Sequence, residues 1–290
     1  MGEMATPDKL AVAFPGQGSQ TPGMRDEVEA HRPDLLRLAC NAVGDDPFSR
    51  ASEGTRFAQP AIFCASLAGW ERLGRPEPDL LAGHSLGEVT ALVAAGSLAE
   101  EDGLRVVVAR GRLMQEAADT SSDGGMLAVR ASRDQIERVA AVHGLTVANE
   151  NEPRQVVLSG ATRALEAAAA VLREAGVRCK RLPIRGAFHS PAMAGVVPPF
   201  RALLDEIEFR EPRVPVLCCA TAEPFDDLRA RLAQAVTSPV RWLDVARAMY
   251  RLGARRFLDA GPSRVVAGLI GRTLDGVDVQ VAADVESARV

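Results

Sequence analysis

The residues with the clearest chemical potential lie between Asp79 and Gly96. The apolar run Leu80-Leu81-Ala82 meets Gly83-His84-Ser85-Leu86-Gly87, and a segment of helical composition follows. This is a G-x-S-x-G turn. A serine between a buried strand and a helix occupies a sharp, strained bend that pushes its Oγ outward, and the flanking glycines avoid collisions that larger side chains would make. The helix that follows aims its free N–H groups back at the serine, so the amide of Leu86 can form one half of an oxyanion hole. The chemistry such a turn would serve is nucleophilic attack by Ser85, with the oxyanion held by backbone amides. The alternative is a Gly-rich strand-to-helix turn with a capping serine; the strand before and the helix after are the surroundings the catalytic motif requires.

Such a nucleophile needs a base, and the chain has four histidines: His31, His84, His143 and His189. His84 neighbours the serine on the bend and is expected to point away from its Oγ. His31 lies in a charged stretch and His143 closes an amphipathic helix. His189 sits in the Gly/Pro-punctuated stretch Arg185-Gly186-Ala187-Phe188-His189-Ser190-Pro191, where it can face Ser85 as general base or simply bond to loop backbone. A triad acid is not evident: Asp259 ends a predicted strand, yet it follows the histidine in sequence, unlike the Ser…Asp…His order of most α/β hydrolases.

Arg110 is the third reactive side chain. Gly103, Val107, Arg110 and Met114 share one stripe of a helix predicted over 99–118, while Arg105 and Arg112 fall on the far side. An inward arginine needs an anion, because breaking a buried pair costs about 3–5 kcal/mol. Two anions fit: an internal carboxylate such as Glu88, or the carboxylate of a substrate gripped by the planar guanidinium fork.

The elements that must hold these groups read as α/β. Leu10 to Phe14 is a buried strand of a parallel sheet, ended by the Gly-rich loop Pro15-Gly16-Gln17-Gly18-Ser19-Gln20. Thr21 stands where the third glycine of a dinucleotide loop would be. A loop at the carboxyl end of such a strand is where these sheets contact ligands, so Gln17 is a candidate donor. Helices are predicted over 33–41 and over 60–73, each with proline in its first turn. After the polar hinge Ser121 to Gly125, strands at 126–130, 145–148, 155–159 and 177–184 and helices at 132–143 and 162–175 give β-α-β-β-α-β, the ferredoxin-like unit. Further strands are predicted at 214–219 and 256–260, with a helix at 242–252 between them. The fold class is therefore an α/β-hydrolase-like parallel-sheet core with an inserted ferredoxin-like small domain: residues 1–122 and 187–290 form the large domain and 123–186 the small one.

Composition narrows the function classes. The 290 residues are 47% apolar with a net charge of -4, which lacks the basic footprint of a nucleic-acid partner. Five cysteines, odd in number and without C-x-x-C spacing, suggest neither a disulfide framework nor a metal site, and fit a reducing, cytoplasmic setting. No apolar run is long enough for a membrane span and no signal-peptide pattern opens the chain. Met1-Gly2 with Thr6 matches an N-myristoylation pattern that nothing else supports, so no membrane contact is expected.

Taken together, the landmarks resemble the malonyl-CoA:acyl carrier protein transacylase family, which includes the acyltransferase units of polyketide synthases. They are Phe14-Pro15-Gly16-Gln17-Gly18-Ser19-Gln20, Ala58-Gln59-Pro60-Ala61, Gly83-His84-Ser85-Leu86-Gly87-Glu88, Arg110-Gly111-Arg112-Leu113-Met114-Gln115, Asn151 with Val156-Val157-Leu158-Ser159-Gly160, Ala187-Phe188-His189-Ser190-Pro191 and Ser238-Pro239-Val240-Arg241-Trp242. The resemblance implies Ser85 as nucleophile, His189 as base, the amides of Gln17 and Leu86 as oxyanion hole and Arg110 as clamp on a malonyl carboxylate. It also implies that Asn151 and Gln59 line or support the pocket. The histidine would be oriented by backbone carbonyls, with Ser238-Pro239-Val240 as their source. The implied activity is ping-pong transfer from malonyl-CoA, the acyl-donor substrate, to the phosphopantetheine thiol of an acyl carrier protein, with no permanently bound cofactor and no metal. Phe188 and Leu86 would crowd an α-methyl branch, which favours malonyl over methylmalonyl by about 1–3 kcal/mol.

The chain departs from the family pattern at Gly186, at Cys218-Cys219-Ala220-Thr221 in place of a Ser-Asn pair, and in the short segment from Glu223 to Arg229. The cations Arg178, Lys180, Arg181 and Arg185 form a basic cluster that is either a carrier-protein docking surface or a solvated strand end. Three other functions use the same scaffold. An editing thioester hydrolase has no use for a carboxylate clamp, and a non-catalytic carrier-protein scaffold no use for an intact Ser85, His189, Gln17 and Arg110. A transacylase for another acyl group stays open.

Overall fold

The computed structural model describes residues 8–121 and 123–285. The Met1-Gly2 pattern and position 122, within the expected hinge, lie outside them. In chain order the elements are β1 (Lys9–Phe14), α1 (Met24–His31), α2 (Pro33–Val43), α3 (Thr55–Arg72), β2 (Leu80–Gly83), α4 (Gly87–Ala94) and α5 (Glu100–Ser121). Then come β3 (Gly125–Val129), α6 (Arg133–Val142), β4 (Thr146–Glu152), β5 (Gln155–Gly160), α7 (Thr162–Glu174) and β6 (Cys179–Arg185). The chain closes with α8 (Val197–Glu206), β7 (Val216–Leu217), α9 (Leu228–Ala235), α10 (Trp242–Arg251), β8 (Ala254–Asp259), α11 (Val265–Gly271) and β9 (Asp278–Val281).

Two sheets result. The larger has the order β7-β2-β1-β8-β9 and is parallel throughout. Its central strands are apolar on both faces, as expected where helices cover both sides, and β1 is buried from Leu10 to Phe14. The smaller has the order β4-β5-β3-β6 and is antiparallel, which is the ferredoxin-like arrangement, with α6 and α7 packed on one face around Ile136, Leu158, Leu165 and Leu172. β1 and β2 end side by side, with Phe14 opposite Gly83, so the loops carrying Gln17 and Ser85 leave the sheet together.

Several expectations need correction. Helix α3 starts at Thr55 instead of Pro60, because the Gln115 side chain accepts the Thr55 N–H and completes an earlier first turn. Pro60 is thus internal, and forfeits only the bond to the carbonyl four residues back. β4 runs on to Glu152 instead of stopping at Ala148; β5 pairs along its whole length, and Arg133 and Arg272 neutralise Glu150 and Glu152. β7 shrinks to Val216–Leu217, and β9 was not foreseen. No helix among the described residues is long and apolar enough to cross a membrane.

Candidate active site

The turn after β2 is built from close backbone contacts. A Cβ on Gly83 would stand 1.9 Å from the Gly87 carbonyl carbon, so only glycine lets the chain double back there. Ser85 adopts φ 56°, the left-handed region that a residue with a Cβ enters only at a cost. Its Oγ meets Nε2 of His189 at 2.8 Å.

His189, 5% exposed, also holds φ 56°. Its Nδ1 lies 2.8 Å from the Ala235 carbonyl oxygen and 3.0 Å from that of Ser238, while its backbone N–H donates to Val236. Carbonyls only accept, so Nδ1 carries the proton and Nε2 is left as acceptor for the Ser85 hydroxyl. Two carbonyls at the end of α9 thus do the orienting work of a triad acid; Ser238 was foreseen as a source and Ala235 was not. Asp259 is spent elsewhere, accepting the N–H groups of Gly261 and Ala267. Burial, reinforced by the nearby Arg110 charge, pushes the His189 imidazole down to about 3, so it is neutral at pH 7 and its Nε2 is unprotonated.

Arg110 lies on the inner stripe of α5 with Gly103, Val107 and Met114 and is 4% exposed. Its Nη1 donates to Gln59 Oε1 at 2.9 Å and its Nη2 to Ser85 Oγ at 3.1 Å. Of the two anions considered for this arginine, Glu88 does not form the ion pair: that carboxylate accepts the Cys219 N–H at 2.6 Å instead. Burial pushes Arg110 down to about 10, against the field of Glu88, so it stays charged at neutral pH.

One cavity of about 110 Å³ gathers Gln17, Gln59, Ser85, Leu86, Arg110, Asn151, Phe188 and His189. Among the described residues, neither the Gln17 nor the Leu86 backbone N–H has a partner in the fold. Asn151 Oδ1 accepts a hydrogen bond from His84 Nε2–H at 2.9 Å. Its Nδ2 donates to Gln155. His84 turns from Ser85 toward Asn151 as expected, yet it still lines the cavity. Sequence reading missed the apolar wall of Met114, Met126, Val157, Leu182 and Ile184, and also Asn149. The period-2 alternation of β6 was the available signal, since Leu182 and Ile184 face inward while Arg181 and Arg185 are exposed. Among the described residues no cluster of three or more His, Cys, Asp or Glu could hold a metal.

A parallel sheet with a serine on a left-handed bend and a histidine returning from beyond an antiparallel insert defines an α/β, acyltransferase-type fold. The family model for the acyl transferase domain matches residues 40–290. The chain belongs to that family. It is 36% identical to the polyketide biosynthesis protein ThaF of Burkholderia thailandensis over 91% of this chain, but spans only 24% of ThaF. To the malonyl CoA-acyl carrier protein transacylase of Haemophilus influenzae it is 32% identical, covering 96% of both chains. Among solved structures, the malonyl-CoA:acyl carrier protein transacylase of Xanthomonas oryzae pv. oryzae superposes with a TM-score of 0.88 at 33% identity, covering 96% of this chain and 95% of that one. A malonyl-transacylase in complex with its type II polyketide-synthase acyl carrier protein gives 0.87 at 29% identity, covering 96% and 97%.

Proposed function

We propose that the protein transfers a malonyl group from coenzyme A to the phosphopantetheine thiol of an acyl carrier protein through an acyl-Ser85 intermediate. The observation that carries this reading is the continuous contact Arg110–Ser85–His189, which puts a buried cation beside the nucleophile and a neutral base on its other side. A thioester placed there offers its carbonyl carbon to Oγ. As the C–O bond forms, the hydroxyl proton passes to His189 Nε2, and the oxyanion is received by the Gln17 and Leu86 amides. The C–S bond breaks, and His189 returns the proton to the departing thiolate. The second half runs in reverse: the carrier thiol gives its proton to His189 and its sulfur attacks the Ser85 ester, the C–Oγ bond breaks as His189 returns the proton to Ser85 Oγ, and the malonyl thioester of the carrier protein leaves. Arg110 selects an acyl group with a free carboxylate, for which its two donors are geometrically suited. Phe188 and Leu86 crowd the α-carbon and favour malonyl over methylmalonyl. Gln59 holds the guanidinium in place, and Asn151 fixes His84 beside the cavity.

Charge distribution supports a protein acceptor. Residues 123–186 hold ten Lys and Arg against seven Asp and Glu, in a chain whose net charge is -4. Of those ten cations, Arg133 alone forms an ion pair among the described residues. Arg181 and Arg185 line a groove that shares Leu182 and Ile184 with the acyl cavity, so strand β6 shows cations outside and the pocket wall inside. An acidic face of the carrier protein docked there would direct its thiol arm to Ser85.

Intact-protein mass spectrometry after brief exposure to malonyl-CoA, with acetyl-CoA and methylmalonyl-CoA in parallel, tests the reading. The expected result is a malonyl adduct on the wild type, absent in Ser85→Ala, that passes to added holo carrier protein. An adduct lost to water faster than to carrier protein would instead mark a hydrolase.

A further inference from the structure

Glu88 is a carboxylate that the acyl-transfer steps do not use. It lies in the first turn of α4, one turn after Ser85, and its backbone N–H donates to the Ser85 carbonyl at 3.0 Å. Only 1% of its surface is exposed. Its side chain accepts the Cys219 N–H, and the Cys219 thiol in turn donates to the Gly83 carbonyl at 2.9 Å. A carboxylate thus sits beneath the nucleophile turn, tied to the Cys218-Cys219 stretch where this chain departs from its family's pattern. Arg110, equally buried, makes no ion pair among the described residues, and Glu88 is the carboxylate whose field reaches it.

Two anions therefore address one buried cation, Glu88 through space and the acyl carboxylate by direct contact. We propose that Glu88 sets the strength of the Arg110 clamp: ionised, it opposes the entry of a second carboxylate, and protonated, it leaves the guanidinium to the substrate. Binding of a carboxylated acyl group is then coupled to uptake of one proton from solvent onto Glu88. The groups that face this carboxylate allow the coupling to be read near neutral pH. Burial pushes Glu88 itself up to about 7, against the Cys219 N–H and Arg110. Arg110 stands at about 10 and Cys218 at about 11, and burial raises Cys219 well above the usual thiol range. Burial holds both ring bases of the site, His84 and His189, below the ordinary imidazole value. Within this set, Glu88 is the group that changes charge between pH 6 and pH 8.

The inference rests on Arg110 as a carboxylate clamp. The test measures KM for malonyl-CoA and acetyl-CoA between pH 6 and pH 8 in wild type, Glu88→Gln and Arg110→Ala. The coenzyme phosphates titrate equally in both donors and cancel in the ratio. In the wild type the malonyl-to-acetyl KM ratio is expected to rise about three- to tenfold across that range as Glu88 ionises. Glu88→Gln keeps the acceptor for Cys219 and removes the charge, so its ratio should stay flat at the value the wild type shows at pH 6. A wild-type ratio that does not change with pH overturns the proposal without any variant. A Glu88→Gln ratio that follows the wild-type curve overturns it as well. Failure of the clamp reading is separate: there Arg110→Ala leaves the malonyl preference over acetyl intact at every pH.

Discussion

Ser85 and His189 hold the same backbone strain, φ 56° at each, and their side chains meet at 2.8 Å. Serine does not favour the left-handed region, and histidine enters it more readily than most side chains but still at a cost; the surroundings hold both bends, the Gly83–Gly87 contact at one and the three carbonyls of Ala235, Val236 and Ser238 at the other. Strain at Ser85 has a measurable signature. Ser85→Ala and Ser85→Gly both remove the hydroxyl and abolish the acyl adduct, but only glycine relaxes the bend. Ser85→Gly should be the more stable of the two by about 1 kcal/mol, or roughly 2–4 °C in Tm for a chain of this size. Equal melting temperatures would show that the turn is not strained.

Arg110 and Gln59 should separate by magnitude. Arg110→Ala removes the buried cation proposed to meet the acyl carboxylate and is expected to lower kcat/KM for malonyl-CoA about a hundredfold while leaving acetyl-CoA nearly unaffected. Gln59→Ala frees one guanidinium nitrogen without removing the charge, and should cost about tenfold. Steady-state kinetics with both donors checks the order. A Gln59 effect as large as that of Arg110 would mean the amide itself contacts substrate.

His189 carries a pH signature with a defined sign. Its folded-state value, about 3, lies below the ordinary imidazole value of 6.5, so the unfolded chain binds the proton more tightly between the two. Stability is therefore undiminished above pH 6.5 and falls as the pH drops through that window, by on the order of a few kcal/mol near pH 4. Thermal melts should show a shallower acid slope in His189→Gln than in the wild type, and the His189 ring resonances should not titrate between pH 5 and pH 8. A midpoint near 6.5 would contradict the buried, neutral base.

The reactive residues were legible in the sequence because each carries a local signal: glycines around Ser85, the Gly/Pro-punctuated approach to His189, helical spacing for Arg110. The β-α-β-β-α-β order was legible for the same reason, since hydrophobic period and turn residues are local. What escaped depends on neighbours far along the chain. The α3 start at Thr55 is set by Gln115, and the length of β4 by its pairing with β5. The carbonyl of Ala235 has no side-chain signature at all, and the partner of Glu88 turned out to be a backbone N–H in place of Arg110.

The basic edge makes a prediction about one half-reaction alone. Arg181→Glu with Arg185→Glu reverses charge on the exposed side of β6 without touching Leu182 or Ile184. Acyl loading from malonyl-CoA should be unchanged, whereas KM for the carrier protein should rise about tenfold and lose much of its dependence on ionic strength. An unchanged carrier-protein KM would return these cations to the ordinary task of guarding a sheet edge, for which lysine, arginine and the nearby Pro183 are suited.

Gly186 offers the sharpest test of how Phe188 is placed. Its φ is 119°, and a Cβ there would stand 2.7 Å from Phe188 Cε1 and 2.9 Å from the Ala118 Cβ. Both contacts are shorter than side chains tolerate, so Gly186→Ala must strain the backbone and push the ring. The combined cost is about 1–3 kcal/mol, seen as a lower Tm. His189 is pinned separately by Ala235, Val236 and Ser238, so the Ser85–His189 contact should survive and malonyl loading should slow only modestly. The acyl selectivity should move further than the rate, because Phe188 lines the same cavity as Ser85 and is proposed to crowd the acyl α-carbon. Single-turnover loading with malonyl-CoA and methylmalonyl-CoA distinguishes the cases: a changed ratio assigns the wall to Phe188, and a uniform loss with both donors would mean that the glycine serves the backbone path of His189 instead.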